Sequence, residues 1–241
     1  MQFEVLEREG DSKLVLHVRK ASVAWANALR RTIIGGLPSF AIDEVDFYEN
    51  NSPFFNEFIA NRLGLIPLTF DELVPADAKI SISCNASGPL RVYSKDLVSA
   101  DERVGPTAET FPIVDLGEGQ VLRLEGWAVM GVAKKHAKFQ CAHASYGHYP
   151  VFKVKKNSPK LKEFVDALPA ACKDSKGEPV AYKCDALEHF AQENTDIAEF
   201  SFKEDEFVFR IESYNNVPAR EHLVRALETI KEEAKEARKL L

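Results

Sequence analysis

The 241-residue sequence lacks any apolar run approaching the roughly 18 residues that a membrane-spanning helix needs. Its N-terminus, MQFEVLEREG, carries acidic residues early and lacks the basic and apolar blocks of a signal peptide. The four cysteines are too few and too scattered for a secreted disulfide framework. These absences predict a cytoplasmic globular protein, and a composition with 45% hydrophobic and 28% charged residues is ordinary for that class.

Recognised catalytic and ligand-binding motifs are also missing. No Gly-rich phosphate loop, no H-E-x-x-H, no G-x-S-x-G and no kinase signature occurs in the sequence. His143 and His148 flank the segment ASYG, but the simpler interpretation is an exposed strand or loop and not a pair of metal ligands. The sequence therefore predicts no catalytic residue and no metal site.

Charge is distributed unevenly along the chain. The net charge of -6 disfavours a protein that grips DNA phosphates by itself. Locally, residues 126–162 contain eight lysines and no acid, whereas residues 43–57 contain five acids and no base. The lysines could face an acidic partner or only solvent, and a free-standing nucleic-acid-binding protein is the rival hypothesis.

An apolar stripe near the N-terminus, after a strand hairpin around Gly10, predicts the first helix. Ser22 is a suitable N-cap, and Gly35–Gly36 can end the helix. Apolar residues recur at every fourth position between these signals, namely Trp25, Leu29, Ile33 and Leu37.

The chain then predicts a strand, FAIDEVDFYE, with imperfect alternation, and a second helix after the turn NNSP. Ser52 could cap this helix, with Pro53 at the first helical position. Its buried face is expected to carry Phe55, Phe58, Ile59 and Leu63.

The remainder of the chain is predicted to contain three regions with different secondary structure. Residues 68–155 are rich in strand patterns, residues 158–195 suggest short helices, and a second hairpin precedes an amphipathic C-terminal helix. The apolar residues of that helix step by four and three, a seam that often pairs with another chain. They are Leu223, Leu227, Ile230, Ala234, Ala237 and Leu241. The predicted fold class is α+β.

Cys172 and Cys184 lie in the helical stretch, with eleven residues between them. Two cysteines cannot supply the four ligands of a bacterial-type iron–sulfur run. A disulfide and two free thiols both remain open, because sequence does not give the distance between the Cα atoms. A metalloprotein or redox protein that uses this pair is the second rival hypothesis.

Two stretches carry a resemblance to a known family. NALRRTIIGGLPSFAIDEVDFYENNSPFFNEFIANRLGLIPL, residues 27–68, resembles the signature of the alpha-like assembly subunits of DNA-directed RNA polymerase. GVAKKHAKFQCAHASYGHYP, residues 131–150, is similar to a second stretch of that family. The helical insert, and a chain that stops after the terminal helix, make it most similar to the archaeal branch of the family, which corresponds to the bacterial alpha N-terminal domain and to the third-largest eukaryotic core subunit.

The resemblance implies a discontinuous, alpha-like dimerisation domain, made of a sheet and two helices, with two insertions. Residues 1–50 and 197–241 would form the two parts of this domain. Residues 51–156 would form an inserted β-rich domain, and residues 157–196 a small ferredoxin-like helical insert. Many relatives bind an iron–sulfur cluster in that insert, but with only Cys172 and Cys184 present no cofactor is expected here.

The resemblance further implies a non-catalytic scaffold within a nucleotidyltransferase complex. The chain would form a heterodimer with the smaller alpha-like subunit L and then receive the large catalytic subunits and small subunits N and P, with no direct sequence-specific contact to nucleic acid. Arg30, Arg31 and Arg62 are expected to contact a large subunit, although Arg30 and Arg31 could instead pair internally with residues 43–57. The expected dimer interface comprises Trp25, Leu29, Ile33, Leu223, Leu227, Ile230 and Ala234.

Overall fold

The computed structural model describes residues 1–240, so Leu241 of the predicted seam lies outside the described residues. The strands are β1 (Gln2–Glu9), β2 (Lys13–Arg19), β3 (Pro38–Asn50), β4 (Ile80–Ser87), β5 (Leu90–Tyr93), β6 (Leu97–Ser99), β7 (Pro112–Leu116), β8 (Val121–Val132), β9 (Ala142–Val154) and β10 (Ala198–Ser213). The α-helices are α1 (Val23–Arg31), α2 (Asn56–Gly64), α3 (Pro159–Ala167), α4 (Ala186–Glu193) and α5 (Ala219–Lys239). The combination of helices with antiparallel sheets confirms the predicted α+β class.

Two four-stranded sheets, in the orders β1-β2-β10-β9 and β3-β8-β4-β6, and the two-stranded pair β5-β7 contain these strands. The chain divides into two compact units, each assembled from three separate stretches. The first unit comprises Met1–Glu7, Val15–Asn27 and Ser145–Arg210. The second unit comprises Arg8–Leu14, Ala28–Ala144 and the chain from Ile211 onward.

The sheets do not follow the boundaries of the segments expected from the sequence. The sheet of β1 and β2 includes β10 from the other end of the chain, as a discontinuous domain requires. However, β9 belongs to the same sheet although it falls within 51–156, and β3 pairs with β8 although it falls within 1–50. Strands that pair in a sheet can be far apart in the sequence, so the order of segments along the chain does not reveal which strands pair.

Strand β8 is the centre of the second sheet and pairs antiparallel with both β3 and β4. Along β4 the residues alternate strictly between buried and less buried, as expected when one face of a sheet covers a core. The register of β3 shifts twice, between Ile42 and Glu44 and between Phe47 and Glu49. Each shift is typical of a β-bulge, which explains the imperfect alternation of FAIDEVDFYE.

Close packing along β8 requires glycine at position 126. A Cβ atom there would lie 2.9 Å from Cγ2 of Ile42 and 3.5 Å from the carbonyl oxygen of Ile82. Both of these residues are buried on the strands that flank β8. The absence of a side chain therefore lets three strands carry one dense layer of apolar residues.

Helix α2 contributes fewer residues to the core than its sequence predicts. Ile59 and Leu63 are fully buried in the apolar cluster of the second unit, as expected. Phe55 and Phe58 are instead 80% and 44% exposed, so the prediction that they are buried is wrong. The predicted cap is also wrong, because the helix begins at Asn56 with Phe55 as its N-cap residue.

Helix α1 matches its predicted pattern closely. The Ser22 hydroxyl accepts a hydrogen bond from the Trp25 N–H at 3.2 Å, which confirms the predicted cap. The helix continues as a π-helical segment, Thr32–Gly36, and β3 starts at Pro38. The stripe at every fourth residue faces the interior, since Leu29, Ile33 and Leu37 are buried.

Within the first unit, α3 and α4 form the predicted short helices. Ser158 caps α3 by accepting a hydrogen bond from the Lys160 N–H, and Pro159 opens the helix. The rings of Phe164 and Phe190 stack with centroids 4.3 Å apart and join the two helices. A small apolar cluster around Phe190 provides the core of this segment.

Helix α5 has two halves with different surroundings. Its first two turns bury Ala219, His222, Leu223 and Ala226, and this part packs in the second unit. From residue 231 to residue 240 every position is exposed. The apolar seam therefore continues onto a stretch of helix that no described part of the chain covers.

A buried polar network holds the start of α5. The Nε2 atom of His222 lies 3.1 Å from Oδ1 of Asn215 and 3.1 Å from the Ser213 hydroxyl, which itself donates to the Val217 carbonyl. Because an amide oxygen only accepts, Nε2 carries the hydrogen, and Nδ1 is left to accept from the Cys141 thiol at 3.8 Å. The network is built for a neutral imidazole.

We predict that His222 makes the stability of the chain dependent on pH. Burial, helped by the nearby charge of Arg225, lowers the pKa of His222 from 6.5 to about 4. Between these values the unfolded chain binds a proton that the folded chain does not, so the free energy of unfolding falls as the pH falls. The loss reaches about 3 kcal/mol.

Urea unfolding between pH 7 and pH 4 checks this prediction. His222→Gln is expected to reduce the slope of unfolding free energy against pH by about 1.4 kcal/mol per unit, which corresponds to one proton. His143→Gln, at an exposed histidine, is the matched control and should keep the slope of the unchanged chain. An equal slope in both variants would contradict the assignment.

Candidate subunit interface

The predicted dimer residues of α1 and its continuation divide into buried and accessible positions. Leu29 and Ile33 have no exposed surface in this chain, so their side chains are covered by the chain itself and are not left for a partner. Trp25 is half-buried, and its ring meets Phe3 edge-on with centroids 5.9 Å apart. Of the three, only Trp25 offers side-chain surface to another protein.

The predicted residues of α5 form a gradient of exposure along the helix. Leu223 is buried, Leu227 and Ile230 are half-buried, and Ala234 is exposed. The expected interface is therefore narrowed to the positions from Leu227 onward, because the chain itself covers Leu223. Small residues at the exposed end permit close approach of a second helix.

The second unit has a basic groove of about 680 Å³ between the α1 end and α5. We name it the arginine groove. Arg30 and Arg31 stand on one wall with the π-helical segment, Ile230 and Glu233 stand on α5, and Lys134 adds a third cation. The structure thus brings two predicted large-subunit contacts and one predicted dimer contact to a single depression.

The electrostatics of the arginine groove favour an acidic ligand. Arg31 is exposed, and among residues 1–240 no carboxylate lies within ion-pair distance of its guanidinium. Arg31 and Lys134 against the single carboxylate of Glu233 already leave the groove with a positive balance. Guanidinium groups bind carboxylates through paired hydrogen bonds, so a carboxylate-bearing protein segment is the chemistry that fits.

Some acids of the acidic segment 43–57 form ion pairs with lysines of the same chain. Lys138, from the lysine-rich span, forms an ion pair with Asp43 and donates to the Ile42 carbonyl at 3.3 Å. This pairing lowers the pKa of Asp43. Glu44 pairs with Lys79 at 3.6 Å, so the first two acids of the acidic segment have lysines as partners.

Arg62 lies in a separate groove and does not join Arg30 and Arg31 there. Its Nη1 donates to the Ile113 carbonyl at 3.0 Å, and its guanidinium stands 5.2 Å from the centre of the Phe58 ring. We name this depression of about 210 Å³ the aromatic groove. Its lining consists of Phe54, Arg62, Arg91, Pro112, Val114 and Asp115.

Sequence reasoning missed the exposed aromatic residues at this groove. Phe54 and Phe55 precede the first residue of α2, so helical spacing does not decide whether their side chains point inward. The rings of Phe54 and Phe58 stack with centroids 5.2 Å apart. Weighing the FF pair ahead of the helix as a surface feature would have identified the patch.

The two cysteines of the helical insert lie in one small apolar cluster. Cys184 is buried, Cys172 is half-buried against it, and both are free thiols in the structure. The Cys172 thiol donates to the Lys183 carbonyl at 3.7 Å. Burial and the neighbouring Cys172 raise the pKa of Cys184, which leaves it a weak nucleophile.

In the second unit the imidazole of His222 lies between the Cys141 thiol and the Asn215 amide, a spatial arrangement that cysteine proteases also use. Nucleophilic catalysis there requires a thiolate beside a protonated imidazole. Burial raises the pKa of Cys141 to about 11 and lowers that of His222 to about 4, so both groups are neutral near pH 7. Cys141 is also buried, and we interpret the constellation as the structural network that anchors α5.

Within residues 1–240, no group of three or more His, Cys, Asp or Glu side chains is arranged to hold a metal ion. No helix in that range is both long and apolar enough to cross a membrane.

Comparisons with known proteins give matches to one family. The family model described as the RNA polymerase Rpb3/Rpb11 dimerisation domain matches residues 15–234. The chain is 44% identical over 171 residues to a protein of Pyrococcus furiosus named DNA-directed RNA polymerase subunit Rpo3. That match covers 68% of this chain and 65% of the relative, slightly less than two thirds of its length.

Other relatives with the same name match along nearly their whole length. The protein of Halobacterium salinarum is 34% identical over 240 residues, which cover 97% of this chain and 94% of the relative. The protein of Archaeoglobus fulgidus is 31% identical, covering 100% of this chain and 97% of the relative. From the matched model and these relatives, the chain belongs to the RNA polymerase Rpb3/Rpb11 dimerisation domain family.

Proposed function

We propose that this chain is a non-catalytic assembly subunit of an archaeal, cytoplasmic DNA-directed RNA polymerase. It forms a heterodimer with the smaller alpha-like subunit L, and the heterodimer receives the large catalytic subunits and small subunits N and P. The observation that carries the proposal is the uncovered second half of α5 in a chain of the dimerisation family. The polymerase chemistry itself belongs to the large subunits.

The exposed half of α5 supports a helix-mediated heterodimer. Residues 231–240 present alanines at two seam positions, Ala234 and Ala237, beside the half-buried Ile230. An isolated helical extension of this length gains little from its own propensity, so packing against a partner is what would stabilise it. Subunit L, as the smaller relative, would supply the matching helix.

The set of proteins that co-purify with the tagged chain tests the proposal. We expect subunit L and the two large polymerase subunits in the eluate at comparable amounts. Recovery of the chain alone, or with unrelated proteins only, would contradict the assembly role. Tight DNA binding by the purified chain without partners would favour the nucleic-acid-binding alternative.

We predict that Ala234→Asp weakens the heterodimer. Ala234 is exposed, so the substitution leaves the fold of the chain intact but places an unpaired carboxylate in an apolar interface. The cost of about 2 kcal/mol corresponds to a roughly 30-fold rise in Kd. Titration with subunit L measures the effect, and Leu227→Asp should act in the same direction.

Lys239→Asp is the matched control, since it places the same carboxylate on the opposite side of α5. Its Kd for subunit L is expected to remain near that of the unchanged chain. If Ala234→Asp and Lys239→Asp behaved alike, the interface would have to lie elsewhere.

We predict that Arg31→Glu impairs recruitment of a large subunit but not of subunit L. The substitution reverses the charge of the exposed wall of the arginine groove, where a carboxylate-bearing segment would dock. Arg123→Glu, at an exposed arginine of β8, is the control. Reconstitution with purified subunits should give normal heterodimer and at least about tenfold weaker capture of a large subunit. Capture at the level of the control would remove Arg31 from the interface.

We predict that the purified chain contains neither iron nor zinc in stoichiometric amounts. The helical insert offers two thiols, Cys172 and Cys184, where a cluster needs four ligands. Elemental analysis of freshly purified protein measures this directly. One equivalent of metal that disappears in Cys184→Ser would contradict the prediction and favour the redox alternative.

A further inference from the structure

Large apolar side chains are exposed along α2, and one of them, Phe54, lines the aromatic groove. Phe54, Phe55, Phe58 and Leu65 are 37%, 80%, 44% and 61% exposed, and all of them lie at or next to α2. Single exposed apolar residues are common on soluble proteins, but a contiguous group of large ones usually marks an interaction site. Two phenylalanine rings of the group stack on each other, which pre-forms the surface.

The charges inside the groove distinguish its two arginines. Arg91 is engaged by Asp115 through both carboxylate oxygens. This fork lowers the pKa of Asp115, and the charge of Arg62 adds to the effect. Among residues 1–240, Arg62 has no carboxylate within ion-pair distance, and only its Nη1 is used, by the Ile113 carbonyl.

The position of Arg62 leaves its guanidinium ready to bind an anion. The guanidinium lies 5.2 Å from the centre of the Phe58 ring, within cation–π distance, and its Nε and Nη2 hydrogens are left to donate. The groove carries two cations and one anion, so its net charge is positive. Its volume of about 210 Å³ is of the order of one large apolar side chain.

We propose that the aromatic groove docks a protein segment in which a carboxylate stands next to a large apolar side chain. The apolar side chain enters the groove between Phe54 and Val114, and the carboxylate binds Arg62. Phe55 and Leu65 cover the flanks of the segment. The inference rests on the proposed function in one respect, namely that the segment belongs to another subunit of the polymerase.

Charge complementarity selects this occupant over a purely apolar one. Burying Arg62 under an uncharged segment would leave a guanidinium without its solvent and without a counter-ion, which is unfavourable. A basic segment would repel both arginines. A carboxylate satisfies Arg62, while the phenylalanines supply apolar contact around it, as at the centre of many protein interfaces.

Reconstitution from purified subunits tests the proposal. The tagged chain is combined with subunit L, and the heterodimer is then titrated with the remaining polymerase subunits. Phe55→Ser and Arg62→Glu are each expected to weaken capture of one and the same subunit at least about tenfold. Binding of subunit L should be unchanged in both.

The series Arg62→Lys, Arg62→Gln and Arg62→Glu identifies the carboxylate. A carboxylate partner predicts affinities that fall in that order, because the ammonium keeps the charge, the amide removes it and the acid reverses it. Equal affinities for the unchanged chain and Arg62→Gln would overturn the proposal. So would the absence of any subunit whose capture depends on both Phe55 and Arg62.

Two controls keep the outcomes distinct. Leu73→Ser removes another side chain that is 80% exposed, outside the patch, and Arg123→Glu reverses a charge outside the groove. Both should bind like the unchanged chain, and loss of capture in either would overturn the assignment to this groove. Failure of the unchanged chain to bind subunit L would contradict the proposed function itself, whereas a normal heterodimer with unaffected variants would contradict only the groove.

Discussion

The first two turns of α5 are packed into the second unit, and the position of the exposed remainder of the helix depends on this attachment. The Ala219 N–H donates to the Asp11 carbonyl at 2.7 Å, so the helix start is tied to the turn after β1. The amide of Asn216 bonds both the N–H and the carbonyl of Phe70, at 2.7 and 3.1 Å. Arg225 then stacks on the Phe70 ring at 4.3 Å. A helix is stiff along its axis, so fixing its start also fixes the direction of the uncovered seam relative to the second unit.

Local patterns in the sequence predicted the elements that carry this arrangement. The fourfold spacing of Leu29, Ile33 and Leu37 and the Ser22 cap predicted α1 because both signals act within one or two helical turns. The same holds for the seam of α5. The two bulges of β3 were not predictable, because a bulge depends on how the neighbouring strand β8 is paired. The exposure of Phe55 depends likewise on where α2 begins, and the helix begins three residues later than the predicted first helical position, Pro53.

The candidate interface was predictable only in part, for a related reason. Position on a helical stripe says which side chains share a face, but not whether that face is covered by the same chain or by another. Leu29 and Leu223 share the predicted stripes with Trp25 and Ala234, yet the first two are buried within this chain and the last two are not. Both grooves also join residues far apart in sequence, such as Arg31 with Ile230 and Arg62 with Asp115. No spacing rule could have brought these pairs together.

Charge shows why the structure is needed to interpret a linear map. The lysine-rich and acid-rich spans suggested two opposite surfaces, but Lys138 and Asp43 neutralise each other inside the chain. An arginine that keeps its charge without a carboxylate partner is more informative than a run of like charges. Arg31 and Arg62 satisfy this condition within the described residues, and they lie in two different grooves. Both arginines are exposed and line grooves that also hold apolar side chains, Ile230 in one and Phe54 in the other. A partner that covered either groove without a carboxylate would leave a guanidinium without solvent and without a counter-ion. Their placement is therefore best explained by ligands that bring the missing carboxylates.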